Sequence, residues 1–594
     1  MATVEARNGH KPFTNYVSYQ DAETGRERVG HYDLEKKIIQ PLAFVSGTPI
    51  DNLYQVIQAG EANIISDGTS ESLSVSSTKI LPPFTGRDIL CVGKNYAAHA
   101  KEFNSSGFDS SDKVDTPSHP VIFTKRFTSI IADGEEIYPH PGFTDTVDYE
   151  GEIGVVIGKP GFRISESDAM DHVWGYTIIN DMTARERQRD HKQFYIGKSP
   201  DTFCPMGPIA VPAQALNKVL QVQTHVNGEL RQDATTEDLI FSIPFLIKTM
   251  SEGQTLMPGD VLATGTPAGV GIGRKPPIYL KSGDTVTVSV TGLGSLTNRI
   301  GDTKSTNPTL EQLSTHSCLP QTNISRSIDS SILTQINNKS LYYKAHGLSS
   351  GSPIVFVHGL GGSAEFFTPL IQFLGLEKSH ALHTFDLEGH GLSPTSPLSK
   401  LTIDSFAADV NGVFEKANIS SGATLVAHSL GSLIAVNFAL QYPEKVSKLI
   451  LLGPPPSPLP EAGVNATYAR AKVVRTKGMA GVVDAVATAG TSEKSKTSVA
   501  IAAVRMSLLS QDPEGYAKAC TALASANALD FAAIRARTLI VTGSEDKTSP
   551  PQLCEKYVEQ MKGNAKLNTL PDVGHWHVFE DTPGVAKAVQ SFLA

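Results

Sequence analysis

Residues 147–157, Val-Asp-Tyr-Glu-Gly-Glu-Ile-Gly-Val-Val-Ile, form a run rich in β-formers that carries Glu150 and Glu152 two positions apart. Read as one strand, that spacing puts both carboxylates on the same face. Like charges side by side are unfavourable unless something positive holds them. A hard divalent cation is the simplest candidate, and a solvated strand face is the plain alternative. Further strand signals crowd around this stretch, at 121–125 and 173–179. Val219–Gln232 holds two runs around Asn227-Gly228, a hairpin signal, and Thr285 to Val290 alternates with period two. Residues 86–302 therefore read as a mostly-β domain with few helices, one of them near 238–250. Residues 88–99 read as a buried strand leading into a turn or helix, and the Ser-, Asp- and Gly-rich 104–119 as a mobile loop. Residues 1–85 alternate short apolar runs with turn residues and read as a small β-rich N-terminal subdomain.

The pattern changes after Thr303. Ser, Thr, Asn, Gln and Pro dominate 303–329 and apolar periodicity vanishes, so this segment reads as a linker. Residues 330–594 then alternate strand and helix signals, with strands at Pro353–Val357, Ala381–Phe385, Ala423–Ala427, Lys448–Leu452 and Thr538–Thr542. Such alternation implies a largely parallel sheet covered by helices on both faces. A mostly helical, Ala-rich insertion at about 455–530 is placed to form a cap over the sheet's C-terminal edge.

Composition agrees with two domains. At 594 residues the chain is too long for one ordinary core, and 40% hydrophobic with 19% charged residues is a globular α/β profile. A net charge of -9 without a Lys/Arg-rich run argues against nucleic acid or an anionic membrane as partner. The five cysteines are scattered and lack zinc-site spacing, which suggests reduced thiols. With no apolar leader and no run long enough to span a bilayer, the expectation is a cytoplasmic enzyme.

In the first half, Asp181 ends the strand signal Trp174–Ile179 and joins Glu150 and Glu152 as a third carboxylate. Three carboxylates with positions left open suit octahedral Mg²⁺, with Mn²⁺ or Ca²⁺ as alternatives. His99 and Glu102 stand three apart, so one helical turn would bring them together. The ordered set Gly-Lys-Asn-Tyr-Ala-Ala-His (93–99), Asp-Tyr-Glu-Gly-Glu (148–152), Asn-Asp-Met-Thr-Ala-Arg (180–185), Gly-Lys-Ser-Pro-Asp-Thr-Phe-Cys-Pro (197–205), Val-Asn-Gly-Glu-Leu-Arg-Gln (226–232) and Thr-Gly-Thr-Pro-Ala-Gly-Val-Gly (264–271) resembles the fumarylacetoacetate hydrolase family. The resemblance implies a mixed β-roll, a homodimer through this module, and a Mg²⁺-dependent site for 2-oxo or 2,4-dioxo acids. It implies Glu150, Glu152 and Asp181 as metal ligands and a His99–Glu102 pair that activates water or shuttles a proton. Lys198 falls on a catalytic position, and Arg185, Gln188 and Thr266 on substrate-binding ones. Hydrolysis, decarboxylation and keto–enol tautomerisation all pass through an enolate. The presence of both His99 and Glu102 favours bond-breaking over isomerisation.

In the second half, Ala427-His428-Ser429-Leu430-Gly431 lies between an apolar strand and a helix expected to be amphipathic over 430–441. That is the context of a nucleophile elbow, with Ala in place of the usual first Gly. His358-Gly359-Leu360-Gly361-Gly362 follows the first core strand, so the backbone N–H groups of Leu360 and Leu430 are the natural oxyanion hole. The acid is expected after the strand 538–542, at Asp546 rather than Glu545. The base is expected at His575 rather than His577. With Asp386-Leu-Glu-Gly-His-Gly-Leu-Ser (386–393), these features resemble the α/β-hydrolase superfamily, and within it small esterases and 3-oxoadipate enol-lactonase.

The expectation is a bifunctional hydrolase: metal-dependent C–C hydrolysis or decarboxylation of an oxo acid, plus serine-dependent hydrolysis of an ester or lactone. The two reactions are either consecutive or independent. The alternatives are an oxaloacetate or oxo-acid tautomerase beside an independent esterase, and a module that serves only as a scaffold.

Overall fold

The computed structural model describes residues 13–106, 117–303 and 330–594. The expected linker thus lies outside the described residues except for Thr303, as does most of the expected loop at 104–119. The described residues fall into two compact units, the first drawn from 13–303 and the second chiefly from 330–594.

The first unit is mostly β. Its N-terminal portion is an antiparallel sheet of Tyr16–Gln20, Glu27–Asp33 and Ile38–Phe44 with shorter strands beside them. A second, six-stranded sheet runs Val211–Pro212, Val173–Asn180, Gly151–Ile157, Val261–Ala263, Ile89–Gly93, Val121–Lys125. A five-stranded sheet contains the hairpin Gln221–Val226/Glu229–Thr235 around Asn227-Gly228, as its sequence predicts. Ile153, Val155, Ile178, Val222, Val286 and Val288 belong to the shared core. Gly151 makes the close approach possible: a Cβ there would lie 2.1 Å from Thr224 Oγ1 and 3.0 Å from Val288 Cγ1. The helix expected near 238–250 forms at Ile243–Ser251, capped by Ser242, whose side chain accepts the Phe245 N–H.

The opening stretch needs one correction. It is not a single strand: Val147–Asp148 pairs with Thr183–Ala184, and Gly151–Ile157 pairs with Val173–Asn180. Glu150 lies in the break. Its N–H donates to the Asn180 side-chain oxygen at 3.1 Å, and its carbonyl accepts the Asp181 N–H at 2.8 Å. A side chain thus takes the place of a ladder partner, and the pleat alone does not bring the two glutamates together.

The second unit is built on an eight-stranded sheet ordered Leu333–Ile336, Lys339–Gly347, His380–Phe385, Ser352–Val357, Ala423–His428, Val446–Leu452, Arg537–Gly543, Ala565–Leu570. The first two strands are antiparallel and the remaining six are mutually parallel. Alternate residues of Ser352–Val357 feed two cores, Val355 and Val357 on one face and Ile354 and Phe356 on the other. This is the two-faced burial of an α/β sheet. Helices Glu461–Lys477, Val483–Gly490, Val499–Leu509 and Pro513–Ala524 fill the insertion between Val446–Leu452 and Arg537–Gly543. The helix Leu430–Gln441 is not amphipathic: every residue from Leu430 to Ala439 is buried, as fits a helix enclosed on all sides. Among the described residues no helix is long and apolar enough to cross a membrane, and the four described cysteines are buried free thiols.

Candidate active sites

Glu150, Glu152 and Asp181 bring one carboxylate oxygen each within 4.8 Å of one another, and all three are buried. Cations crowd the cluster. Lys198 Nζ donates to Glu150 Oε2 at 2.6 Å and Asp181 Oδ2 at 2.7 Å, and Arg185 Nη1 pairs with Glu150 Oε1 at 2.7 Å. Lys125, a buried residue that the sequence reading passed over, donates to Asp181 Oδ1 at 2.6 Å. Its signal was a lysine closing the otherwise apolar-rich Val-Ile-Phe-Thr-Lys strand. Asp148, also passed over, accepts from Arg185 Nε at 2.8 Å and from the N–H groups of Gly271 (2.7 Å) and Ile272 (3.0 Å).

Glu152 is the exception. Among the described residues no Lys or Arg pairs with it; Oε2 accepts the Gly265 N–H at 2.8 Å and Oε1 has no hydrogen-bond partner. Burial, then Asp181 and Glu150, push its carboxyl well above the usual range. Burial works the same way on Glu150, but Lys198, Arg185 and His99 outweigh it and hold that carboxyl below the usual range. Burial would lower Lys198, yet Asp181 and Glu150 raise it and keep it charged. The donor set is all oxygen, one member lacks a counter-charge, and one of its oxygens is orphaned. The cluster could hold a divalent ion such as Mg²⁺.

A small cavity lies against these groups and is lined by Glu150, Arg185, Lys198, His99, Gln188 and Thr266 among others. His99 sits on the helix Ala97–Ser105 and meets Glu102 one turn on, Nδ1 to Oε2 at 3.3 Å. The Gly269 N–H also reaches Glu102, 3.2 Å from each oxygen, tying the pair to the Gly-rich turn. Gln188 Oε1 accepts from Arg185 Nη1 at 3.3 Å. The Thr266 hydroxyl donates to Gly151 O at 3.0 Å and accepts from Gln232 at 2.7 Å. Its proton is therefore committed to the protein.

In the second unit Ser429 follows the strand Ala423–His428 with φ 51° and ψ −121°. A non-glycine residue is uncommon there, and such strain costs about 1–3 kcal/mol. The turn raises the side chain: His575 Nε2 is 2.8 Å from Ser429 Oγ, and His575 Nδ1 is 2.9 Å from Asp546 Oδ2. Asp546 Oδ1 accepts the N–H groups of Thr548 (2.9 Å) and Ser549 (2.8 Å). Burial would raise the Asp546 carboxyl, but His575 and His577 hold it well below the usual range. His577 Nε2 lies 3.2 Å from Asp546 Oδ2, so both candidate histidines reach the acid, and His575 is the one bonded to the serine. The N–H groups of Leu360 and Leu430 have no acceptor among the described loop and side-chain hydrogen bonds. The Gly359 backbone packs against the elbow, a Cβ there falling 2.9 Å from Ser429 Cβ.

Three further histidines in this unit are held neutral. Burial, then His390, lowers His358 to about 3; burial lowers His390 to about 4 and His428 well below the usual 6.5. Each can protonate once unfolded, so between about pH 4 and 6.5 the unfolded state binds more protons and stability rises with pH. At up to about 1.4 kcal/mol per pH unit for each histidine, offset in part by Asp386, whose carboxyl burial raises to about 6, a drop from pH 6.5 to 5 costs on the order of a few kcal/mol, a large share of a domain's stability. Melting the full chain at pH 7 and pH 5, with labelling of Ser429 by a fluorophosphonate marking the second unit, checks this. An unshifted transition at pH 5 would contradict it.

The first unit thus presents a buried carboxylate site of a kind able to take a metal, and the second a Ser-His-Asp constellation on an α/β sheet. Residues 88–301 match the family model described as fumarylacetoacetate (FAA) hydrolase C-terminal, and residues 352–496 match the alpha/beta hydrolase fold. The chain is 49% identical over 232 residues to the oxaloacetate tautomerase YisK of Bacillus subtilis, a match covering 38% of this chain and 75% of that one. It is 36% identical over 296 residues to the mitochondrial oxaloacetate tautomerase fahd2 of Xenopus laevis, covering 48% and 89%. A solved fumarylacetoacetate hydrolase from Exiguobacterium antarcticum aligns with TM-score 0.42 and 37% identity, over 48% of this chain and 99% of that one. The chain belongs to the fumarylacetoacetate hydrolase family and carries an α/β-hydrolase fold domain in addition. Both modules are of enzyme families, and the two relatives compared by sequence, YisK and fahd2, are named oxaloacetate tautomerases.

Proposed function

We propose that the first module interconverts the keto and enol forms of a 2-oxo dicarboxylate, oxaloacetate, and that the second independently hydrolyses an ester or lactone through Ser429. The observation that carries the first half is the 49% identity to an oxaloacetate tautomerase, in a module whose cavity gathers a base and two cations beside the carboxylates. The His99–Glu102 pair serves proton transfer as well as bond-breaking, so tautomerisation is preferred to C–C hydrolysis or decarboxylation.

In this reading His99, oriented by Glu102, takes a proton from the carbon next to the keto group while the keto oxygen gains one, giving the enol, and the reverse transfers regenerate the ketone. Arg185 and Lys198 face the negative charge that develops on the enolate and the substrate carboxylates. Glu150, Glu152 and Asp181 would hold a divalent ion, which supplies Lewis acidity toward the 2-oxo acid. In the second module His575 accepts the Ser429 proton as Oγ attacks the carbonyl, Asp546 steadies the imidazolium, and the Leu360 and Leu430 N–H groups receive the oxyanion.

The test is the enol absorbance of oxaloacetate mixed with the full chain and Mg²⁺. Faster approach to the keto–enol equilibrium without loss of CO₂ supports the proposal. Release of CO₂ and pyruvate at the same rate as enol decay, or no acceleration, would overturn it.

A further inference from the structure

The segment 358–364 carries Leu360, one of the two candidate oxyanion donors, and has glycine at three of its positions. Its two ends are fixed by the α/β body. The Leu387 N–H donates to His358 Nε2 at 2.9 Å, and the Ala364 N–H donates to Asp386 Oδ1 at 2.7 Å. Between them the Gly362 N–H closes a turn onto Gly359 O at 3.0 Å.

The free carbonyl of that turn is held from elsewhere. Gly361 O accepts from Ser507 Oγ at 2.8 Å and from Gln511 Nε2 at 3.3 Å. Ser507 belongs to the inserted helix Val499–Leu509, and Gln511 follows it. Gln511 is buried, and its Oε1 accepts the Gly391 N–H at 3.1 Å, so one amide spans the turn and the 386–393 loop. Glycine at 361 permits the approach: φ is +77°, and a Cβ would lie 2.5 Å from Leu508 Cδ2.

We propose that Ser507 and Gln511 are positioning residues that set the oxyanion turn, so that Ser429 is competent only with the inserted helix seated on Gly361. The inference rests on the reading of Ser429 as nucleophile. An N–H stabilises a developing oxyanion to the extent that it is fixed beforehand, because reorienting it during the reaction consumes the gain. The peptide carrying the Leu360 N–H is held through its own carbonyl, Gly359 O, by His358 Nδ1 at 2.9 Å and the Gly362 N–H at 3.0 Å, and with three glycines in the turn the far side, at Gly361 O, is fixed only by Ser507 and Gln511 among the described hydrogen bonds. The two side chains touch neither substrate nor serine; they act through Gly361.

The experiment measures nitrophenyl-ester hydrolysis by the full chain, with an arylboronic acid as a mimic of the tetrahedral intermediate. Ser507→Ala and Gln511→Leu each lower kcat roughly 5- to 20-fold, less than the ~100-fold or more for deleting an oxyanion donor outright. KM stays within about twofold while the boronate inhibition constant rises in step with the loss in kcat. Ser507→Thr, which keeps the hydroxyl, restores kcat. Should Gln511→Leu fail to fold, Ser507→Ala alone decides, since it removes one hydroxyl from a partly buried position. Unchanged kcat and boronate affinity, or a rise in KM alone, overturns the inference while leaving the nucleophile reading intact. No Ser429-dependent turnover in the unsubstituted chain overturns that reading, and the inference falls with it.

Discussion

Ser429→Ala abolishes ester hydrolysis, lowering kcat on the order of 10⁵- to 10⁶-fold, and leaves oxaloacetate tautomerisation by the same chain at its original rate. The size follows from the geometry. His575 stands 2.8 Å from the hydroxyl and 2.9 Å from Asp546, so base and acid are aligned for one oxygen. Removing that oxygen leaves water with no positioned partner, and what survives is the contribution of the oxyanion donors and of binding. The substitution is small, and alanine keeps the Cβ, so the positive-φ strain at the elbow is unchanged. Rates on a nitrophenyl ester and on enol-oxaloacetate, measured on one preparation, check both halves. Ester turnover that persists in Ser429→Ala would mean that another nucleophile serves the module or that the module is not the hydrolase. Loss of tautomerisation as well would contradict independent activities.

Chelation by EDTA abolishes tautomerisation and spares ester hydrolysis, and Glu152→Gln reproduces the first effect with a stability change of opposite sign. Glu152 is a buried carboxylate beside Glu150 and Asp181, with one orphaned oxygen and no paired Lys or Arg among the described residues. Without an ion its charge is a liability to the fold; with one it is a ligand. Glutamine keeps an oxygen to accept the Gly265 N–H and removes the charge. The metal-free Glu152→Gln protein should therefore melt a few degrees higher than the unsubstituted chain in EDTA, at roughly 2–4 °C per kcal/mol for a unit of this size. It should also lose the rise in melting temperature that Mg²⁺ gives the unsubstituted chain, which reaches about 2.7 kcal/mol of stabilisation at a hundredfold excess over Kd. A Glu152→Gln protein that still tautomerises oxaloacetate and still gains stability from Mg²⁺ would show that the ion is held elsewhere. Ester hydrolysis lost on chelation would contradict two separate sites.

Much of the second unit was legible because its signals are local. The elbow sequence, the apolar strands and the Ser…Asp…His order are runs of neighbouring residues, and the strand Ala423–His428 and helix Leu430–Gln441 formed where the pattern placed them. The edge strand Ala565–Leu570 escaped notice because its exposed positions interrupt any apolar run. The hairpin Leu333–Gly347 escaped for a similar reason: only Ile336 and Leu341 are buried along it. In the first unit the motif residues were readable, but Lys125 and Asp148 were not, because their partners lie 56 and 37 positions away.

The sequence alone determined which chemistry-bearing residues the chain contains, that they fall into a β-rich half and an α/β half, and that Ser429 sits on a strand-to-helix turn. Periodicity and short motifs suffice for that, since they report the backbone within a few residues. Only the tertiary structure decided the charge balance of the carboxylate site. There Glu150 and Asp181 have cations from distant strands and helices, and Glu152 has none among the described residues. It likewise decided that His575 reaches the serine, although His577 touches the same carboxylate, and that Ser507 and Gln511 hold the turn bearing Leu360. These are pairings between elements far apart in the chain. Burial and a few ångströms of approach set their strength, and no local pattern encodes either quantity.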